Sequence, residues 1–260
     1  MRVTLTLAPR ATPLLLPVHY PRLVQAAFYG LLTPAVAEVV HDKGFPVGKR
    51  TMRLFVFSRL LGDYRMRPDR KYEVMEQRRS GGQRQIEFRG EIDLVVSSPL
   101  KTLVRDLANA LVRHGFLRLG AEVLELRKVL LAEPKVTADR LLVRTLSPVT
   151  VYSTLYRKDG KPYALYFHPK EKEFERLVAQ NLFRKYAAVH GQEAPYTMEA
   201  IRVWPQGRMQ QNIVLYKKNV IKGYSGRFIL EGPSELLQIG LDAGLGAKNS
   251  QGFGLVEMTN

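Results

Sequence analysis

The sequence of 260 residues contains no cysteine, which excludes a disulfide-built scaffold, a cysteine-ligated zinc site and a thiol nucleophile. It also lacks any apolar run near the 18 or more residues that a membrane helix needs. Its N-terminus alternates (Arg2-Val3-Thr4-Leu5-Thr6-Leu7) and then meets Pro9 and Pro13, without the apolar block and small-residue cleavage site of a secretory leader. These absences predict a soluble, cytoplasmic protein with no membrane partner. Acidic residues are scarce, with 24 Asp and Glu against 40 Lys and Arg, a net charge of +16. Such an imbalance points to a polyanion, nucleic acid first. A merely thermostable surface is the alternative, but that usually raises Glu together with Lys. The carboxylates show no metal-ligand clustering, no cofactor motif stands out, and no Ser-His-Asp order is evident. No metal or cofactor is therefore expected.

Apolar residues make up 45% of the chain, enough for a packed core. The length fits one large domain or two small ones. Alternation predicts a strand over Arg2–Leu7. A helix follows over Pro21–Leu32, with Leu23, Val24, Ala27, Phe28 and Leu31 on one stripe. Thr33 and Pro34 read as the N-cap and first position of a second helix, which ends at His41-Asp42-Lys43 with Gly44 as its C-terminal cap. Met52–Leu60 and Gln85–Ser97 read as strands, separated by a charged loop or hairpin connection over Arg65–Arg84. An amphipathic helix is expected over Pro99–His114 and a strand over Leu117–Leu131. This β-α-β-β-α-β order is the ferredoxin-like plan. Beyond a polar stretch at Pro134–Arg140 the order recurs. Strands are expected at Leu141–Leu146, Val149–Tyr152, Met198–Trp204, Gln210–Tyr216, Tyr224–Leu230 and Leu255–Met258. Helices are expected at Lys170–His190 and at Pro233–Ala243, the latter capped by Ser234 or Gly232. The prediction is an α+β protein of two tandem ferredoxin-like (RRM-like) domains, residues 1–135 and 136–260.

The most specific motif is Gly244-Leu245-Gly246-Ala247-Lys248-Asn249-Ser250-Gln251-Gly252-Phe253-Gly254. It follows a helix and precedes a strand, the reverse of a dinucleotide-binding turn, and it lacks the Gly-Lys-Ser/Thr of a P-loop. Its glycines would let backbone amides approach a phosphate, with Lys248 adding a cation; a tight helix-to-strand turn is the plainer reading. Two Gly-x-Gly pairs spaced in this way near the C-terminus resemble the glycine-rich loop of the RAMP superfamily. More narrowly, they resemble that of the CRISPR-associated repeat-processing endoribonucleases (the "Cas-six" family). The order Tyr20 to Tyr29, His41, Arg53-Leu54-Phe55-Val56-Phe57-Ser58 agrees with that resemblance. So do Thr145-Leu146-Ser147-Pro148-Val149 and the helix with Glu173-Phe174, Asn181-Leu182 and Lys185-Tyr186. The resemblance implies metal-independent cleavage of CRISPR repeat RNA in precursor transcripts to give mature guide RNA. In that reaction the 2′-hydroxyl attacks the adjacent phosphate, leaving a 2′,3′-cyclic phosphate and a 5′-hydroxyl. It also implies a CRISPR effector complex as a further partner, with a homodimer as an open alternative.

In-line attack needs a base, an acid and a cation. Of the five histidines (His19, His41, His114, His168, His190), His41 ends a predicted helix beside a basic segment, where a purely structural role at the helix dipole is the alternative. The resemblance places the catalytic histidine at His41. It often has a tyrosine near Tyr29, which reads equally well as a core aromatic. The family's catalytic lysine position holds Arg53 here. Arg cannot act as a general acid but can clamp a phosphate, and Lys49 is the other candidate for the cation. Residues 49–79 carry ten basic and four acidic side chains interleaved with Phe55, Phe57, Tyr64 and Tyr72. That run is either a solvated face or an RNA path. Arg50, Gly244, Gly246, Lys248, Asn249, Gly252, Phe253 and Gly254 are the expected RNA contacts. Two rival readings remain: a repeat-binding subunit without catalysis, and an unrelated RNA-binding protein on the same fold.

Overall fold

The computed structural model describes residues 1–48, 50–72, 83–216 and 219–259. The elements of the first half, in order, are β1 (Arg2–Pro9), β2 (Leu14–Pro17), α1 (Pro21–Leu31), α2 (Pro34–Ala37), β3 (Phe45–Val47), β4 (Arg50–Met52), β5 (Val56–Phe57), β6 (Leu61–Tyr72), β7 (Gln83–Ser97), α3 (Lys101–His114), β8 (Phe116–Leu119) and β9 (Glu122–Ala132). Those of the second half are β10 (Arg140–Thr145), β11 (Tyr152–Tyr156), β12 (Pro162–Tyr166), α4 (Lys172–His190), β13 (Arg202–Tyr216), β14 (Asn219–Glu231), α5 (Ser234–Ala243) and β15 (Val256–Met258).

Each half builds one main antiparallel sheet and one two-stranded hairpin, β3–β4 in the first and β11–β12 in the second. The first main sheet runs β2-β7-β1-β9-β8, with β5 and β6 also on β7; the second runs β13-β14-β10-β15. In the second half the first strand, β10, lies between the third and the fourth. The first half repeats this with β1 between β7 and β9. Central first and third strands of the motif, with a helix after each of them, give the ferredoxin-like order, and the fold is α+β as expected. The apolar stripe of α1 and the Leu103, Leu107, Ala110 and Leu111 face of α3 cover Val3, Leu5, Leu7, Ile92, Leu94 and Val96 of the first sheet. In the second, Phe174, Val178 and Leu182 of α4 and Leu237 and Leu241 of α5 cover Val143, Val203, Phe228 and Leu230. Phe174 and Phe228 lie parallel, with ring centroids 5.8 Å apart. The halves are joined by their own small cluster, Val56 and Val95 against Leu146 and Leu255. Arg2 Nη2 donates across the joint to the Val256 carbonyl at 2.6 Å.

Several local expectations are corrected. The strand expected over Met52–Leu60 is broken, because Leu54 takes a positive φ of 51° and Ser98 Oγ captures its carbonyl at 2.6 Å. Arg65–Tyr72 and Gln83–Arg84 are not loop: they extend the ladder of β6 on β7, with Met66 opposite Ile86. Leu117–Leu131 is a hairpin that turns at Gly120 (φ 66°), pairing Leu117 with Leu124. Of the strand expected at Met198–Trp204, Met198–Ala200 is a 3-10 turn, while Arg202–Trp204 runs on with Gln210–Tyr216 in one long strand, β13, with an irregularity between Gln206 and Gln210 where Gly207 has φ 75°. The hairpin β11–β12 replaces the strand expected at Val149–Tyr152. Thr33 does not cap α2 with its side chain. Its amide and hydroxyl both donate to Asp106 instead. Neither Ser234 nor Gly232 caps α5, whose N-cap is Pro233. No helix among the described residues is long and apolar enough to cross a membrane.

Candidate functional site: a basic cleft between the two halves

The helix begun at Pro34 does not continue as α. After α2 it widens to a π-helix over Glu38–Lys43, which carries His41, and Gly44 ends it with φ 60°. The side chain of His41 lies outside the described residues, as does Lys49 altogether. Beyond Gly44 the β3–β4 hairpin swings across to pack on α4 of the second half. The chain from Arg50 to Phe55 thereby becomes one wall of a cleft of about 530 Å³. The other walls are Tyr152 and Thr154 of β11, Asn181 and Lys185 of α4, and Ala247–Gln251 of the glycine-rich segment. No carboxylate lines it among the described residues, while Arg50, Arg53, Lys185 and Lys248 all do. Arg184 stands beside Arg50; burial first, then the like charges of Arg50 and Arg176, lower its pKa. An anion is the ligand such a wall set favours.

Arg53 brings the sharpest feature. Its Nη1 is buried without a hydrogen-bond partner. It rests on Gly44, where a Cβ would sit 2.4 Å away. A buried, unpaired guanidinium nitrogen costs stability and is poised for an acceptor such as a phosphate oxygen. Tyr29, on α1, approaches from the other side. Its ring meets Phe55 edge-on with centroids 5.8 Å apart. Burial raises its pKa, against the opposing influence of Arg53 and of hydrogen bonding with Gln25 and Ser250. Tyr29 is thus neutral at pH 7, a hydrogen-bond donor rather than a base. It is half-buried, and it touches both the core and the loop that edges the cleft.

The glycine-rich segment joins α5 to β15, as its position in the sequence predicts. Several of its amides are already engaged by the protein, within the segment and with the stretch at Pro148–Thr150. Leu245 N–H donates to Gly254 O (2.8 Å), Ala247 N–H to Thr150 O (2.8 Å) and Gly254 N–H to Pro148 O (2.9 Å). Asn249 Nδ2 clamps the loop through Leu245 O (3.0 Å) and Phe253 O (2.9 Å). A Cβ on Gly254 would fall 2.0 Å from Leu245 O, and one on Gly252 would strike the buried Phe57 ring at 2.6 Å, so no other residue fits without displacement. Gly244, Gly246, Gly252, Phe253 and Gly254 are buried, and Phe253 packs with Val214 and Ile221 under the Arg59 guanidinium. The part that faces the cleft is Ala247–Gln251. There Lys248 holds a positive φ of 60° and lies with Nζ 4.8 Å over the Tyr152 ring.

Of the residues singled out in the sequence, Arg50, Arg53, Lys248 and Asn249 meet in this cleft, with Tyr29 beside it. The five buried loop residues support it from behind. Sequence reasoning passed over Tyr152, Asn181 and Lys185 as site residues. A signal existed for two of them. Phe174, Val178, Asn181 and Lys185 share one helical face, so two polar side chains interrupt an apolar stripe and are buried with it. Lys185 Nζ donates to Gly244 O (2.5 Å) and Gly246 O (3.3 Å), and burial lowers its pKa to about 7.

Comparison with known proteins bears on this geometry. Residues 131–258 match the family model described as CRISPR associated protein Cas6, C-terminal. The chain is 32% identical over 166 residues to the CRISPR-associated endoribonuclease Cas6 of Pyrococcus furiosus; the match covers 62% of this chain and 58% of that protein. In fold it is similar to a Cas6-related protein of Pyrococcus furiosus, with a TM-score of 0.81 at 18% identity over 100% of this chain and 98% of the other. A RAMP protein described as binding different RNA substrates gives 0.79 at 19% identity, with 100% of both chains covered. The second half of the chain thus matches the C-terminal region of Cas6 proteins in sequence, and the whole chain shares the fold of a Cas6-related protein and of a RAMP protein.

Proposed function

We propose that this chain is an endoribonuclease that cleaves CRISPR repeat RNA in precursor transcripts, in the cleft between its two halves, leaving 2′,3′-cyclic phosphate and 5′-hydroxyl ends. The observation that carries the proposal is the unpartnered Arg53 nitrogen, set between Gly44 and a basic cleft that Tyr29 borders and that no carboxylate lines among the described residues. In this reading the two domains are residues 1–135 and 136–260. Mature guide RNA is the product, and a CRISPR effector complex receives it.

The chemistry divides as follows. The ribose 2′-oxygen attacks phosphorus as its proton passes to a base, and the leaving 5′-oxygen takes a proton from an acid. His41 is the group whose ordinary pKa suits proton transfer near neutrality. Tyr29, held neutral by its burial, donates to an oxygen of the reacting phosphate. Arg53 neutralises the non-bridging oxygens, with Arg50 or Lys49 drawing in the flanking backbone. Lys248 and Asn249, at the loop tip, contact RNA across the cleft. Support for RNA as the substrate comes from the net charge of +16, the all-basic cleft, and the endoribonuclease name of the relative above.

The test is cleavage of end-labelled repeat RNA, from an array in the genome that encodes the chain, with chelator present and the product ends mapped. Cyclic-phosphate and 5′-hydroxyl ends are expected at an unchanged rate. Tight binding without cleavage supports a repeat-binding subunit instead. A strict need for a divalent cation overturns the mechanism.

A further inference from the structure

The C-terminus of α5 is unusual in how it is closed. Gly244 follows it with φ 81° and ψ 163°, outside the left-handed conformation that lets a helix cap its own carbonyls. The carbonyls of Gly244 and Gly246 turn instead toward α4, where Lys185 Nζ donates to both. Lys185 is 3% exposed, and among the described residues no carboxylate lines the cleft beside it. The charged groups that share its cleft are Arg50, Arg53 and Lys248, all cations. Among the described residues its compensation is the negative end of α5 and the two carbonyls. Burying a lysine in this way is costly, and an apolar residue would suit the stripe of α4 better if packing were all that mattered.

We infer that Lys185 is a positioning residue for RNA cleavage: by pinning Gly244 O and Gly246 O it fixes the height of the Lys248–Gln251 tip over the cleft. The inference rests on the proposed ribonuclease reading. The route to the chemistry is short. Ser250, in the tip, bonds with Tyr29. Asn249 bridges the loop from Leu245 O to Phe253 O. A second polar group on the same face of α4, Asn181, has its Oδ1 buried and unpartnered at the cleft wall. Burial lowers the Lys185 pKa to about 7, so at physiological pH the amine is partly neutral and still has N–H groups enough for both carbonyls.

Two variants of the full chain, Lys185→Met and Lys185→Gln, test the inference. Gln is too short to reach both carbonyls, and it stands in where Met prevents folding. Two readouts are taken: kcat and KM on repeat RNA, and hydrogen exchange at the amides of Leu245 and Ala247, which are held by Gly254 O and Thr150 O. A displaced site typically loses about 10²-fold in rate. The expected result is a fall in kcat of that order, with affinity for uncleavable 2′-deoxy repeat RNA within about threefold, and faster exchange confined to the loop. An unchanged kcat, unchanged loop exchange, or a rise in exchange spread evenly over the molecule overturns the positioning role. Absence of cleavage by the wild-type chain defeats the ribonuclease reading alone; loop exchange in the variants still reports whether Lys185 holds the loop.

Discussion

The guanidinium of Arg53 packs directly on Gly44, the residue that ends the π-helix of His41. A β-carbon at Gly44 would lie 2.4 Å from Arg53 Nη1 and 3.0 Å from the Met52 carbonyl. The missing side chain therefore sets how closely the cation approaches the end of the π-helix. Gly44 also holds φ 60° and ψ −164°, a region almost reserved for glycine.

Gly44→Ala should accordingly displace Arg53 and strain the backbone together. The expected cost is about 1–3 kcal/mol of stability and about 10²-fold in kcat from misplacement of the cation. Urea unfolding and single-turnover cleavage measure the two. A variant with wild-type kcat would detach Arg53 from the chemistry.

Tyr29→Phe separates the two readings of that residue. The ring keeps its edge-on contact with Phe55, so stability should change by less than about 1 kcal/mol. The lost hydroxyl should lower kcat about 10- to 100-fold, near the lower end for a single proton donor. Because burial raises the Tyr29 pKa, the pH–rate profile between pH 6 and 8 should keep its shape in what activity remains. Full activity in Tyr29→Phe would reduce Tyr29 to a core aromatic.

Lys185 gives stability a definite pH dependence. Burial lowers its pKa from the ordinary 10.5 to about 7. Between those values the unfolded chain binds a proton that the native chain does not, so stability rises with pH across that window. The slope from this group is at most ~1.4 kcal/mol per pH unit. Denaturant titrations of wild type and Lys185→Met over pH 7 to 10.5 isolate it: the difference should grow in favour of wild type as pH rises. Parallel curves would mean that folding leaves the Lys185 pKa near its ordinary value.

How far the site was legible in the sequence follows from how local each feature is. The helices α1, α3 and α4 are marked by 3.6-residue stripes, and the stripe of α3 is buried as read. Glycine spacing located the loop between α5 and β15, but not its use: which of its amides face outward depends on Thr150 and Pro148, from a distant stretch of chain. Direct RNA contact was expected of Gly252 and Phe253, whereas both pack inward, Gly252 on the Phe57 ring and Phe253 beside Val214 and Ile221. The break at Leu54 carries no sequence mark, because a leucine at φ 51° is held there by the tertiary bond from Ser98. The β3–β4 hairpin is not anticipated from the sequence, and only its docking on α4 shows that Arg50 and Arg53 share a cleft with Lys185. That partnership spans the two halves and is invisible to any local pattern.

The central claim is that His41 transfers a proton while the RNA supplies its own nucleophile. The most direct measurement pairs His41→Ala on repeat RNA with wild type on the same RNA carrying a 2′-deoxy residue just 5′ of the scissile phosphate. Loss of a general acid or base costs about 10²–10⁴ in rate, while binding, carried by charge, should persist in both arms. The account predicts that slowing for the variant and no cleavage of the deoxy substrate. Wild-type cleavage by His41→Ala, or normal cutting of the deoxy RNA, would contradict it.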